Sequence, residues 1–259
     1  MRISVLIPVY NEARTILEIL KKVEATNIAD EIIVIDDGST DGTSDILRQA
    51  PKDKYKIVYK EKNRSKGNAI REGLKLVTGD IVIVQDADLE YDPNDYPALV
   101  KPIVSGKASI VYGSRKGLDK LPFSIFRLGR WFVTFLTNLL YRTKISDEPC
   151  GYKVFKTDVI KDIPLACKRF EFCAEITAKL ARRNYKIYEV PISYSSRTVK
   201  EGKKLTYKGR ALRYHEISQR PRKIQHSSHT SQVSQGYTSQ RLWITLGGRF
   251  GYQVHTRHK

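Results

Sequence analysis

Ile81-Val82-Ile83-Val84-Gln85-Asp86-Ala87-Asp88 joins a short apolar run to a pair of carboxylates. Four consecutive apolar residues rich in β-branched side chains are typical of a buried strand. Because side chains alternate along a strand, we expect Asp86 and Asp88 to share one face at its C-terminal end, where open α/β sheets bind ligands. Two close carboxylates repel each other, and a hard cation bridging them to a phosphate relieves that repulsion. A pair of solvated turn aspartates is the alternative interpretation of this spacing.

Two other apolar runs also end in polar turns. Residues 31–35 precede the turn Asp36-Asp37-Gly38-Ser39-Thr40-Asp41, and residues 2–7 precede Pro8-Val9-Tyr10-Asn11-Glu12. A helix-like segment follows each of the three runs. This repetition predicts an α/β protein in which a doubly wound, Rossmann-like mixed sheet carries helices on both faces and a site along one edge.

Four motifs, in this order and spacing, resemble those of family 2 glycosyltransferases: Pro8-Val9-Tyr10-Asn11-Glu12, Asp36-Asp37-Gly38-Ser39-Thr40-Asp41, Lys66-Gly67 and Asp86-Ala87-Asp88. The resemblance covers about residues 2–208 and implies a GT-A fold and a nucleotide-sugar donor. It implies that Asp88 binds the divalent metal through which the diphosphate is held. The residues that we expect to bind the nucleotide are Pro8, Tyr10, Glu12, Asp37, Lys66 and Asp86.

Within the family, the chain resembles the branch of dolichol-phosphate mannose synthases and other polyprenyl-phosphate glycosyltransferases. Glu90 stands where that branch commonly has a glutamine that helps to hold the metal. We therefore expect Asp86, Asp88 and Glu90 to bind Mg²⁺ or Mn²⁺, both of which accept carboxylate oxygen. A surface position is the alternative for Glu90.

Arg115, in Gly113-Ser114-Arg115-Lys116, matches an arginine that faces the acceptor phosphate in the same branch. A guanidinium fork suits a phosphate, although a solvated loop cation is the alternative. Arg197 and Lys203 resemble a basic loop of that branch which binds the diphosphate or the acceptor phosphate and can close over the donor. We expect these three residues to contribute to phosphate binding.

Asp147 matches an acid that lies beside the sugar in this family. In enzymes with hydroxyl acceptors a nearby carboxylate is the general base, whereas a phosphate acceptor is already ionised and needs little base assistance. Asp147 would then orient only the sugar or the acceptor. A simple turn acid is the alternative. The predicted catalytic set is Asp88, Asp147 and Arg115.

Residues 121–141 mix bulky apolar side chains with Arg127 and Arg130. Aromatic residues beside arginines suit a helix that lies in the headgroup layer of a membrane, where the two arginines would meet the acceptor phosphate. A core helix packed on the sheet is the alternative. No apolar run approaches the roughly 20 residues that span a bilayer.

Composition sets the remaining limits. The net charge of +18 is compatible with nucleic acid, an anionic membrane surface or an anionic substrate, but no nucleic-acid motif is present. The start of the chain in a strand predicts no signal peptide, and three cysteines without a pairing pattern favour reduced thiols. We expect a glycosyltransferase domain over residues 1–208 and a disordered, basic tail rich in His, Ser and Gln over residues 209–259.

The resemblance implies an inverting, metal-dependent glycosyltransferase that moves a hexose from a nucleotide-diphosphate sugar to dolichyl or another polyprenyl phosphate. GDP-mannose is the first choice of donor and UDP-glucose the second. The expected location is peripheral, on the cytoplasmic face of a membrane. Two alternatives stay open, namely a family 2 enzyme with a saccharide or glycan hydroxyl acceptor and a non-enzymatic basic protein that binds nucleic acid.

Overall fold

The computed structural model describes residues 1–115, 125–166 and 171–197 of the chain. Strands and helices alternate along most of these residues. A 3₁₀ turn, Pro93–Asp95, leads into the fourth helix. In chain order the elements are β1 (Ile3–Val9), α1 (Ile16–Ala25), β2 (Glu31–Asp36), α2 (Thr43–Arg48), β3 (Tyr55–Tyr59), α3 (Lys66–Leu76), β4 (Ile81–Val84), α4 (Tyr96–Val104), β5 (Ile110–Ser114), α5 (Ile125–Tyr141), β6 (Lys153–Lys156), α6 (Thr157–Asp162), α7 (Phe172–Arg182) and β7 (Tyr188–Pro191).

The seven strands form one sheet in the order β3-β2-β1-β4-β6-β5-β7. All neighbouring pairs are parallel except the two that involve β6, which runs antiparallel to both β4 and β5. The carboxyl ends of six strands and the amino end of β6 therefore lie along the same edge. The predicted mixed, doubly wound sheet is confirmed.

Helices cover both faces of the sheet, as predicted, and each face has its own apolar core. The alternation is clear in β1, where Val5 and Ile7 belong to one core and Leu6 to the other. The first core takes residues from α1, α2 and α4, and the second takes residues from α3, α6 and α7. Burial on both faces explains why the central strands are continuously apolar.

The element boundaries differ from the sequence prediction in three places. The apolar pattern alone predicts a helix over residues 12–25 and a strand over residues 185–194. The helix begins instead at Ile16, and the strand is confined to Tyr188–Pro191. The helix Thr157–Asp162 was not predicted. It is too short for a helical period to be visible, since only Val159 and Ile160 are buried in it.

A buried carboxylate fixes the edge of the sheet opposite the predicted site. Glu31 accepts hydrogen bonds from the hydroxyl of Ser4 and from the backbone N–H and hydroxyl of Thr78, the last two at 3.0 Å, and forms an ion pair with Lys56. Burial by itself would raise the pKa of Glu31, but these donors outweigh burial and lower the pKa to about 2. The ionised carboxylate therefore stabilises the fold.

We expect Glu31→Gln to lower the free energy of unfolding by about 2–3 kcal/mol at neutral pH. The pKa in the folded state lies below the ordinary value of 4.5, so this stabilisation is complete above pH 4.5 and is lost as the pH falls towards 2. Urea unfolding of both proteins across this range measures the effect. A difference between them that does not change with pH would contradict the assignment.

Candidate functional site

The polar turns predicted from the sequence meet at one edge of the sheet. Because six strands end there and β6 begins there, segments distant in sequence become neighbours. Its elements are the turn after β1 with Glu12, the turn after β2 with Asp37, the turn after β4 with Asp86 and Asp88, Arg115 after β5, residues 146–151 before β6, and residues 192–197 after β7.

Asp37 is buried and rigidly held. Its two carboxylate oxygens accept the backbone N–H of Arg64 at 3.1 Å, and it forms an ion pair with Lys60. Gly38, at φ +74°, allows the tight turn that follows, because a Cβ there would lie 2.7 Å from the backbone of Lys62. Of the other residues expected to contact the nucleoside, Pro8 is buried within β1, and Tyr10 is half-buried just after it.

Asp86 is fixed from two sides. Lys66, the first residue of α3, forms an ion pair with it through Nζ. On the other side lies Gly151, where a Cβ would approach Asp86 Oδ2 to 2.5 Å and the ring of Tyr91 to 2.8 Å. Gly151 also donates its backbone N–H to the hydroxyl of Tyr91 at 2.8 Å. Any other residue at position 151 would push the Asp86 carboxylate out of place.

Asp88 and Glu12 share one guanidinium. Arg197 donates from Nη1 and Nη2 to the two oxygens of Glu12, at 2.9 and 3.2 Å, and from Nη2 to Asp88 Oδ2 at 3.3 Å. Burial, together with the negative charges of Asp86 and Glu90, raises the pKa of Asp88 to about 7. Burial and the neighbouring negative charges therefore outweigh the positive charge of Arg197 at Asp88.

Glu90 anchors the segment that follows β7. Its carboxylate accepts the hydroxyl of Tyr194 at 2.9 Å and the backbone N–H of Arg197 at 3.0 Å, and its carbonyl accepts the N–H of Ser195 at 2.9 Å. The structure thus places Glu90 two residues from Asp88, with its side chain directed at this segment. Its role as a metal ligand stays a prediction.

Arg115 and Asp147 form a buried bidentate ion pair. Nε and Nη2 of Arg115 donate to the Asp147 carboxylate at 2.7 and 2.8 Å, and the Arg115 backbone N–H adds a third bond at 3.0 Å. The guanidinium carbon also lies 4.8 Å from the ring centre of Tyr194. Burial would raise the pKa of Asp147, but Arg115 outweighs burial and the pKa lies below its usual value. Arg115 is thus buried, and its contact with an acceptor phosphate stays a prediction.

Helix α5 turns an apolar face outward. Towards the protein it places buried Thr134, whose hydroxyl accepts the Glu148 backbone N–H at 3.1 Å, and Thr137. Trp131 and Phe135 stack at 5.5 Å on the exposed side. The exposed apolar residues of this helix are Leu128, Trp131, Phe132, Phe135, Leu139 and Leu140. Over the described part of the chain, no helix is long and apolar enough to cross a membrane.

The predicted acceptor-side cations lie in different surroundings. Arg127 is exposed on α5, whereas Arg130 is half-buried and contributes positive charge that lowers the pKa of Asp147, though less than Arg115 does. Arg197 belongs to the cluster around Asp88 and Glu12. Lys203 and the tail over residues 209–259 lie outside the described residues.

The donor atoms at this edge suit a hard divalent cation. They are carboxylate oxygens, and Asp88 lies close to the negative charges of Asp86 and Glu90. Among the described residues, however, no three acidic, histidine or cysteine side chains surround a common metal position. The reason is visible in the ion pair of Asp86 with Lys66 and in the contacts of Glu90 with Tyr194. Mg²⁺ or Mn²⁺ would therefore be held by Asp88 with whichever neighbouring carboxylates turn towards it.

Three residues of the site were not predicted from the sequence. Tyr194 packs against Arg115 and donates to Glu90, Gly151 makes room for Asp86, and Lys60 pairs with Asp37. Gly151 had a weak signal, since the apolar pattern of residues 152–155 predicts a strand directly after it. The other two depend on the pairing of strands and could not be identified from local sequence.

Comparison with known proteins identifies the family. The model of Glycosyl transferase family 2 matches residues 4–164. The chain is 29% identical over 215 residues to a UDP-N-acetylglucosamine–dolichyl-phosphate N-acetylglucosaminyltransferase of Methanococcus voltae, covering 73% of this chain and 84% of that protein. It is 30% identical over 215 residues to an undecaprenyl-phosphate 4-deoxy-4-formamido-L-arabinose transferase of Edwardsiella ictaluri, covering 78% and 62%.

Solved structures agree on the fold. Glucosyl-3-phosphoglycerate synthase of Mycobacterium tuberculosis superposes with a TM-score of 0.64 at 21% identity, covering 84% of this chain and 78% of that one. Its complex with Mn²⁺, UDP and phosphoglyceric acid gives a TM-score of 0.62 at 22% identity, covering 77% and 72%. The predicted GT-A fold is confirmed.

We expect removal of either partner of the Arg115–Asp147 pair to be strongly destabilising. Arg115→Met leaves a buried carboxylate without its cation, which costs about 3–5 kcal/mol. Arg115→Met combined with Asp147→Leu should recover much of this loss, because neither charge is then buried alone. Chemical denaturation of the single and double variants gives the coupling free energy. Purely additive losses would show that the pair does not form.

Proposed function

The chain belongs to glycosyltransferase family 2, and on that premise we propose that it is an inverting, metal-dependent enzyme which transfers a hexose from a nucleotide-diphosphate sugar to a polyprenyl phosphate. The observation that carries the choice of acceptor is the pairing of Asp147 with Arg115.

On the donor side, Glu12 and Asp37 lie at the ends of adjacent strands and would hold the nucleoside, as the family resemblance implies. Asp88 would hold the metal, and the supporting observation is its burial beside the negative charges of Asp86 and Glu90, which a shared guanidinium does not offset. A bound divalent cation supplies charge that offsets the negative charge developing on the leaving diphosphate. Lys66 keeps the Asp86 carboxylate in a fixed position beside it.

On the acceptor side, the chemistry turns on the need for a base. A hydroxyl acceptor must lose a proton during attack, and Asp147 is the acid that the family resemblance places beside the sugar. Here three hydrogen bonds from Arg115 hold Asp147, and its pKa is lowered, which makes it a weak base. A phosphate monoester is largely ionised at neutral pH and needs no base. The geometry therefore supports a phosphate acceptor over the hydroxyl alternative.

The names of the two relatives point in the same direction. One is named for dolichyl phosphate and the other for undecaprenyl phosphate. The donor sugar is less sharply defined. One relative is named for N-acetylglucosamine and the other for a formamido-arabinose, whereas the sequence favoured GDP-mannose and then UDP-glucose. The donor in the first relative's name, UDP-N-acetylglucosamine, favours a uridine nucleotide. It should therefore be assayed together with GDP-mannose and UDP-glucose.

The outward face of α5 supports a peripheral location on an anionic membrane, which we place on the cytoplasmic side. Its exposed aromatic and aliphatic side chains would enter the headgroup layer, and Arg127 lies on the exposed surface beside them. An anionic donor, an anionic lipid acceptor and an anionic surface together suit the net charge of +18 without any nucleic acid.

The acceptor is tested with dolichyl phosphate against dolichol, which differs only by the phosphate. We expect transfer from one of UDP-N-acetylglucosamine, UDP-glucose or GDP-mannose in the presence of Mn²⁺, to dolichyl phosphate alone. Asp88→Asn should lower the rate on the order of a hundredfold or more. Asp162→Asn, an exposed acid at the opposite edge, serves as the control.

A preference for dolichol or for a soluble saccharide would replace the phosphate acceptor by a hydroxyl acceptor. Full activity of Asp88→Asn would show that Asp88 is not part of the active site. Nucleic-acid binding that weakens at moderate salt, without any affinity for a nucleotide sugar, would favour the non-enzymatic alternative.

Membrane binding is tested on the exposed face of α5. Burying an aromatic side chain of this size is worth about 1.5–3 kcal/mol, so Phe135→Glu should weaken partitioning onto anionic vesicles by roughly tenfold or more. Leu17→Glu on α1 is the matched control, since Leu17 is 45% exposed and Phe135 is 49% exposed. Vesicle flotation measures both. Equal loss in the two variants would show that α5 is not the docking surface.

A further inference from the structure

The segment over residues 192–197 is tied to the β4 side of the site at several points. Ser193 donates its backbone N–H to Asp95 at 2.7 Å, and Ser195 donates to the carbonyl of Glu90 at 2.9 Å. Tyr194 pairs with Tyr91 in an isolated bridge, and the two rings lie 5.3 Å apart, tilted by 52°. These contacts place the side chain of Arg197, two residues after Ser195, beside the carboxylates at the carboxyl edge.

The Arg197 guanidinium joins two carboxylates that are assigned to different parts of the donor. Glu12 is expected to contact the nucleoside and Asp88 to bind the metal. The side chains of Arg197, Glu12 and Asp88 are only 13%, 10% and 22% exposed. In such partly dehydrated surroundings two carboxylates require a cation, and here a side chain of the protein provides one.

The guanidinium is not fully satisfied in this position. Its Nε is buried, and among the described residues it meets no hydrogen-bond acceptor. A buried donor without an acceptor is energetically unfavourable. A guanidinium also binds phosphate in a bidentate fork, which would use Nε together with one of the terminal nitrogens. The present position therefore leaves Arg197 with a donor that a diphosphate oxygen would satisfy.

We propose that Arg197 is a counter-ion of the donor-free enzyme, which neutralises Asp88 and Glu12 and gives up Asp88 when a divalent cation and a nucleotide diphosphate bind together. This inference rests on the proposed metal-dependent donor site. The cation and the guanidinium compete for the same oxygen of Asp88. The diphosphate offers the guanidinium new acceptors, so nucleotide binding favours release of Asp88 to the cation.

The change requires movement of one side chain only. The backbone N–H of Arg197 is held by Glu90, and the preceding residues are held by Asp95 and Tyr91. Rotation about the side-chain bonds of Arg197 can therefore move the guanidinium while the segment stays in place. The consequence is that the cation alone binds weakly, and that cation and nucleotide each raise the affinity for the other by the same factor.

The experiment measures Mn²⁺ binding to the full-length protein by electron paramagnetic resonance, alone and with saturating UDP or GDP. In the native protein the nucleotide should raise Mn²⁺ affinity by about tenfold or more, within the usual range of such coupling. Arg197→Gln should bind Mn²⁺ alone about tenfold more tightly than the native protein, and its coupling to nucleotide should shrink. Arg183→Gln, which removes an exposed arginine paired with Asp162, should behave as the native protein does.

Arg197→Lys keeps the charge but loses the fork, so its affinity for Mn²⁺ alone should lie between those of the native protein and Arg197→Gln. This variant also carries the test if Arg197→Gln fails to fold in thermal unfolding. If the native protein binds Mn²⁺ with nucleotide but neither variant binds Mn²⁺ alone more tightly, the counter-ion role is overturned while the proposed function stands. If the native protein binds no Mn²⁺ even with UDP or GDP, the metal-dependent function and this inference fail together.

Discussion

Negative charge crowded along one edge of the sheet is the constraint on which the site depends. Strands that end together bring carboxylates into partly dehydrated surroundings, where each needs a cation. The protein provides one for several of them, in the pairs Asp37–Lys60, Asp86–Lys66, Asp147–Arg115 and Glu12–Arg197. Asp88 receives only a share of Arg197, at 3.3 Å. This incomplete compensation at Asp88 supports our proposal that an external cation binds there.

The antiparallel strand β6 determines which loop lies beside the carboxylates at this edge. Because β6 runs antiparallel between β4 and β5, its amino end lies at the carboxyl edge of its neighbours. The preceding residues 146–151 then reach both sides, so that Asp147 meets Arg115 after β5 and Gly151 meets Asp86 after β4. A parallel strand in the same position would carry this loop to the opposite edge. The mixed topology is therefore what joins the donor side to the acceptor side.

The sequence predicted the parts of the site that depend on local pattern. The apolar runs of β1, β2 and β4 and their polar turns placed Asp37, Asp86 and Asp88 at one edge, since alternation along a strand requires only neighbouring residues. It did not predict that Arg115 would pair with Asp147, because that contact depends on the direction of β6. The bond between Arg197 and Glu12, 185 residues apart, was equally invisible. For α5 the sequence left open whether the apolar face packs on the core, and the buried threonines show that it does not.

Helix α5 is structurally connected to the buried ion pair of Arg115 with Asp147. Thr134 accepts the Glu148 backbone N–H, so the helix is hydrogen-bonded to the loop that carries Asp147. On the same helix, Arg130 adds positive charge that acts on Asp147.

An acceptor phosphate on a long lipid would arrive along the surface that the apolar face occupies, and it would meet cations without having to give up a proton. A hydroxyl acceptor in the same place would find Asp147 already committed to Arg115, and three hydrogen bonds would have to break before that carboxylate could act as a base. The positions of the apolar face, the arginines and the weakened base thus favour the same class of acceptor for a single physical reason, namely that the site provides charge compensation rather than proton removal.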